Sequence, residues 1–117
     1  MRTVSRIFQA LSDTNRLRTL LMLRQGAVCV CEITAVLDLA PSTVSKHLSI
    51  LRQVGLIVAE KDGRWVNYRL ATDAESQHIQ TVMNTLEVWL KDDDTMVTDE
   101  RAILQADRNI ICTPTVA

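Results

Sequence analysis

Glycine is scarce in this chain, three residues in 117, and none of them forms a phosphate-cradling loop or a nucleophile elbow. With no acid/base cleft readable from the remaining residues either, the pattern argues against an enzyme. Long apolar runs are absent, as is a basic-then-apolar leader. Their absence leaves no membrane span to place and points to a cytoplasmic protein. Three cysteines, an odd number, argue against a disulfide framework. They leave metal binding, redox chemistry or plain packing. An excess of charge of one sign is missing too, the net charge being −1.

What is present is an ordinary globular balance, 47% hydrophobic and 23% charged, in a chain of single-domain length. The charge is unevenly spread. Residues 1–70 carry ten basic against five acidic side chains, and residues 71–117 three basic against nine acidic. A basic front and an acidic back suit a nucleic-acid binder whose overall charge is near zero, although plain scatter gives the same count.

Apolar residues at helical spacing, Val4, Ile7, Phe8 and Leu11, predict a first helix over 3–11. Ser12 or Asp13 caps a second, with Leu17, Leu20, Leu21 and Leu23 inward and Gly26 closing it. A short third helix covers 31–38. Pro41 then opens a fourth that runs to Val54, with Val44, Leu48 and Leu51 on its buried face and Gly55 at its end. The period then changes. Residues 56–60 and 64–70 read as strands, joined by a tight turn at Lys61-Asp62-Gly63. The helical period returns over 73–92, where Ile79, Val82, Met83, Leu86, Trp89 and Leu90 form a stripe. Asp92-Asp93-Asp94 closes that helix, and Thr98 caps a further short one through about Asn109. The expected organisation is a domain over 1–94 followed by a tail over 95–117 that carries Cys112.

The order α-α-α-α-β-β-α is a helix-turn-helix followed by a hairpin wing: mainly α with a two-stranded β-wing. In that arrangement the fourth helix lies in the major groove. Removing its core positions leaves Ser42, Thr43, Ser45, Lys46, His47 and Ser49 for solvent or DNA. Lys61 and Arg64 at the wing tip, with Arg69 on a strand, suit phosphate or minor-groove contact. The stripe with Trp89 and the Ile7/Phe8 face together exceed what one small domain buries, so a homodimer through the first and last long helices is expected.

The sequence also resembles a known family. The string Ala10-Leu11-Ser12-Asp13-Thr14-Asn15-Arg16-Leu17-Arg18 is similar to the second-helix opening of ArsR/SmtB repressors. Pro41-Ser42-Thr43-Val44-Ser45-Lys46-His47-Leu48-Ser49-Ile50-Leu51 resembles their recognition helix, and Gly63-Arg64-Trp65-Val66-Asn67-Tyr68-Arg69-Leu70 their wing. The resemblance spans residues 5–91. It implies a dimeric repressor on double-stranded operator DNA with an inverted repeat, half-sites about one helical turn apart.

Cys29-Val30-Cys31-Glu32 opens the third helix. Thiolates are soft ligands, and a helix N-terminus lowers a thiol's pKa. On a regular helix, residues two apart point roughly 200° from each other, so joint coordination needs a distorted first turn. Binding would then pull on the start of the helix-turn-helix. The resemblance implies As(III) or Sb(III) as inducer, since Cys-Val-Cys-acid-aliphatic is similar to the arsenical-sensing signature of these repressors. That signature has a third cysteine where Thr34 stands here. Two thiolates with an exogenous ligand, or Cys112 from either subunit, would fill the gap. Cd(II) or Pb(II) sensing, a thiol-redox switch through a Cys29–Cys31 disulfide, and simple packing of the cysteines stay open. His78 lacks partners at ligand spacing and reads as a surface residue.

Overall fold

The computed structural model describes residues 1–106. In chain order it contains α1 (Arg2–Leu11), α2 (Thr14–Met22), a short 3-10 turn (Leu23–Gln25), β1 (Val28–Cys29), α3 (Val30–Leu37), α4 (Pro41–Gln53), β2 (Ile57–Asp62), β3 (Trp65–Leu70), α5 (Ile79–Trp89) and α6 (Asp94–Gln105). This is a winged helix-turn-helix, mostly helical with a small antiparallel sheet.

Local chemistry explains each boundary. Asp13 caps α2, its carboxylate accepting from the backbone N–H of Asn15 at 2.8 Å and of Arg16 at 3.1 Å. Asp38 ends α3 in the left-handed conformation, φ 55°. Pro41 starts α4, where its missing N–H costs nothing. The exit from α4 is a Schellman motif. Leu56 N–H donates to Leu51 O at 3.2 Å and Gly55 N–H to Arg52 O at 2.9 Å, and Gly55 takes φ +79°. The core forms where α2, α3 and α4 interlock, with Leu20, Ile33, Val44, Leu48, Leu51 and Leu56 all at 0% exposure. Burying each such side chain stabilises the fold by about 1.5–3 kcal/mol.

The hairpin pairs β2 with β3 from Ile57 opposite Leu70 to Asp62 opposite Trp65. The strands therefore run through Lys61 and Asp62, which the sequence assigned to the turn. The two-residue loop is Gly63-Arg64, with Gly63 at φ +60°, the position a type II′ turn reserves for glycine. A third strand joins the sheet: β1 pairs antiparallel with β3, Val28 opposite Tyr68 and Cys29 opposite Asn67. Two residues are too few to show a period, so pattern reading passes over them.

The C-terminal third departs most from expectation. α5 begins at Ile79 rather than at 73, because Glu75 is engaged elsewhere. Its carboxylate accepts from Thr72 N–H at 2.9 Å and from both terminal nitrogens of Arg69, at 2.7 and 3.0 Å. That holds residues 72–76 as turns against β3. The aspartate run does not simply close α5. Asp92 turns the chain at φ 63°, and Asp93 caps α6 by accepting from Met96 N–H at 3.0 Å. α6 therefore starts four residues before Thr98, and residues 95–105, read from sequence as tail, pack on α2 and α3 with Ile103 in the core.

The α5 stripe is divided. Ile79, Met83 and Leu86 are buried within the chain, whereas Val88 and Trp89 are 73% and 75% exposed. On α1, Ile7 is buried and Phe8 is 67% exposed. Each helix keeps one apolar edge uncovered. Among the described residues, no helix is long and apolar enough to cross a membrane.

Candidate nucleic-acid interface and cysteine site

Three apolar residues at i, i+4 and i+7 (Val44, Leu48, Leu51) fix how α4 sits on the core, and so decide what it shows outward. Ser42, Thr43, Ser45, Lys46 and Ser49 are exposed along its outer face. His47 is only half-buried, and its Nδ1 lies 3.3 Å from a terminal nitrogen of Arg16. Arg16 also donates through Nε to Ala10 O at 2.6 Å and through its other terminal nitrogen to Gln9 O at 3.3 Å. A single guanidinium thus joins the end of α1, the start of α2 and the outer face of α4. Asp13 belongs to the same cluster. Partial burial pushes its carboxyl up, but the Arg16 N–H, nearby His47, the Asn15 N–H and the Arg16 charge together hold it below the usual range.

In the wing, Lys61 and Arg64 are exposed, and the Arg64 guanidinium lies 5.2 Å from the centre of the Trp65 ring. Arg69 is not available as the sequence suggested. Glu60 and Glu75 bind it at 2.8 and 2.7 Å, which raises its pKa further above the ordinary arginine value.

Cys29 and Cys31 do not share a helix. Cys29 is the extended N-cap residue of α3, φ −92° and ψ 165°, and at the same time the last residue of β1. Cys31 lies in the first turn of α3, half-buried. The roughly 200° divergence expected for two positions inside one helix therefore does not apply to this pair. Glu32 completes a capping box: its carboxylate accepts from Cys29 N–H at 2.9 Å while the Cys29 sulfur faces the Glu32 N–H. The expected lowering of the Cys29 pKa is reversed. Burial raises it, the Glu32 carboxylate adds to that, and the backbone N–H groups of Glu32 and Cys31 only partly compensate. One turn past Cys31, Thr34 Oγ1 is buried with no hydrogen-bond partner. Cys112 lies outside the described residues. Among the described residues, no group of three or more His, Cys, Asp and Glu side chains could hold a metal ion. His78, read as a surface residue, is half-buried at the N-cap of α5.

The family model for "Bacterial regulatory protein, arsR family" matches residues 13–58, from the cap of α2 into β2. An arsenic resistance transcriptional regulator, ArsR1 of Pseudomonas putida, is 36% identical over 91 residues, 74% of this chain and 71% of that protein. The chain belongs to the ArsR family. It is a DNA-binding transcriptional regulator and not an enzyme.

Two solved structures place the fold in the same company. The homodimeric winged helix-turn-helix domain of Mb0332 from Mycobacterium bovis has a TM-score of 0.64 at 27% identity, covering 80% of this chain and 86% of that one. The cadmium sensor CMTR of Mycobacterium tuberculosis has a TM-score of 0.57 at 38% identity, covering 77% of this chain and 92% of that one.

Within this ArsR-family frame, sequence reading missed two elements of the site. Arg16 was counted as free positive charge, although it organises His47; only the three-dimensional neighbourhood reveals that. The Cys29/Glu32 cap was legible in principle, because Glu at the third helical position is half of a capping signature. Cysteine in place of the usual Ser, Thr, Asp or Asn concealed it.

Proposed function

We propose that this ArsR-family regulator is a metalloid-responsive repressor. It binds an inverted-repeat operator as a homodimer and lets go when As(III) or Sb(III) engages the thiolate forms of Cys29 and Cys31. The observation that carries this reading is the place of Cys29. It ends β1, caps α3 and pairs with the wing strand β3, so a bond to its sulfur acts on the joint between the wing and the first helix of the DNA-reading pair. Drawing Cys29 toward an ion shared with Cys31 breaks the cap and turns α3, and α4 follows through their common core.

The donor set supports a small three-coordinate thiophile. Cys29 supplies one thiol and Cys31, disulfide-bonded in this structure, a second once it is reduced, and the partnerless Thr34 Oγ1 can donate to an exogenous hydroxide on the metalloid. A Cd(II) or Pb(II) sensor is the second reading, favoured by the likeness to a cadmium sensor. Such ions want more thiolate or nitrogen donors, which Cys112 would have to help supply. Exposed Lys46, Lys61 and Arg64 take DNA phosphates, while Ser42, Thr43, Ser45 and His47 face base edges. The uncovered edges of α1 and α5, with Phe8 and Trp89, are the proposed dimer surface.

The test is fluorescence anisotropy on DNA upstream of the protein's own gene, in reductant, titrated with arsenite and then Cd(II). Release by arsenite that disappears in Cys29→Ser and Cys31→Ser is the expected result. Tight binding unmoved by arsenite but released by Cd(II) moves the assignment to the second reading.

A further inference from the structure

The contact between Arg16 and His47 fixes more than a side-chain position. Arginine is a pure donor and does not lose its proton in proteins, so the nitrogen it meets must offer a lone pair. That nitrogen is His47 Nδ1, at 3.3 Å. Its proton therefore sits on Nε2, on the far side of the ring. Arg16 has little freedom to do otherwise, because its two remaining contacts are backbone carbonyls at the C-terminal end of α1, Ala10 O and Gln9 O. Gln9 O also accepts from the N–H and Oγ of Ser12, and Ala10 O, at the end of the helix, takes the guanidinium's shorter bond. His47 is half-buried, one turn beyond exposed Thr43 and one turn before buried Leu51, so it stands at the edge of the outer face of α4 beside α2.

We infer that Arg16 presets His47 as an outward-facing donor only, so that α4 selects a hydrogen-bond acceptor at one base position per half-site. The acceptors that a major groove offers are purine N7, guanine O6 and thymine O4; the exocyclic amines of cytosine and adenine are donors and would be rejected. Arg16 is then a positioning residue that acts through His47, and not a phosphate contact despite its charge. The inference rests on α4 being the DNA-facing helix, as in the function proposed above.

Two measurements test it, one of them independent of DNA. Long-range nitrogen–proton correlation spectra of the labelled protein report which ring nitrogen of His47 is protonated. Nε2 is expected, and protonation of Nδ1 alone overturns the inference. The second is a competition series in which each base pair of a half-site is changed singly. Wild type should lose roughly tenfold in affinity at one position when an acceptor is replaced by an amine donor. His47→Asn keeps a side-chain oxygen for Arg16 but has nothing to reach outward, so its preference at that position should vanish with an unchanged salt slope. His47→Gln places an amide near Nε2 and should keep most of the preference. A His47→Asn protein that discriminates as wild type does, or loses affinity equally on all sequences, overturns the inference. Failure of the wild type to bind any DNA would count instead against the function proposed above, and the nitrogen spectra would still decide the tautomer.

Discussion

The basic front of the chain, residues 1–70, and its acidic back differ in charge, yet much of that difference is cancelled internally. Arg18 reaches α6 and grips Asp99 with two bonds, Nε to Oδ2 at 2.8 Å and a terminal nitrogen to Oδ1 at 3.0 Å. Arg24 bridges Glu100 at 2.8 Å and Glu87 at 3.5 Å, and Arg69 holds Glu75. Four acids of the back are thus counter-ions to three arginines of the front. The exposed cations of the front are a smaller set, Arg2, Arg6, Lys46, Arg52, Lys61 and Arg64, of which Lys46, Lys61 and Arg64 are the proposed phosphate contacts. A charge count along the sequence thus overstates the charge that the front leaves available.

The sharpest contrast between regions lies within α4, between its buried and outer faces. Leu48 has no exposure and sits in a well-packed core, so Leu48→Ala should destabilise by about 2–5 kcal/mol in urea denaturation. Ser45→Ala on the outer face should change stability by less than about 0.5 kcal/mol. Equal effects would mean that α4 is not seated as described. The next largest effect tests the join between front and back. Asp99 is 6% exposed, and Arg18 depends on it for two charged hydrogen bonds. Asp99→Ala leaves that guanidinium without its partner and should cost about 1–3 kcal/mol. Its effect should be on stability and on the seating of α6, with DNA affinity per folded molecule nearly unchanged.

The legible parts of this protein are those held by periodic burial and local turn chemistry. α4 was readable end to end because Pro41, the Val44/Leu48/Leu51 spacing and Gly55 are all local signals. The wing was readable because Gly63 serves its turn, although the strands extend through Asp62. The parts that were misread depend on partners far away in sequence. Glu75 is drawn to Arg69 and delays α5 to Ile79, and Asp93 caps a helix whose packing rests on Arg18, 81 positions from Asp99. Cys29 belongs to both classes. Its position beside α3 was plain, but the raised pKa comes from its burial at the end of a strand only two residues long.

A smaller effect separates two wing arginines that the sequence treats alike. Arg64→Ala should lower the slope of log affinity against log salt by about one, since an exposed wing-tip cation releases about one counterion. Arg69→Ala should leave that slope as it is, because its charge already faces Glu60 and Glu75. If both variants flatten the slope equally, the internal pairing of Arg69 does not survive in the complex.

The least effect comes from the other half of that pair. Hydrogen bonds from Arg69, then from Thr72 N–H, hold the Glu75 carboxyl down at about 2, against 4.5 for an unperturbed one. A carboxyl depressed in the folded state stabilises the fold at pH values above 4.5, and that contribution fades as the pH falls toward about 2. Because the group is exposed, water and salt weaken the pair, and the effect on the midpoint of thermal unfolding is small. Glu75→Gln should therefore flatten the fall in stability between pH 4.5 and 2 while leaving the neutral-pH arsenite response alone. Thermal melts of both proteins across that window, at low and high salt, measure it. An unchanged acid limb would show that the turn ahead of α5 is held by Thr72 and Ser76 backbone bonds, and not by the arginine that links it to the wing.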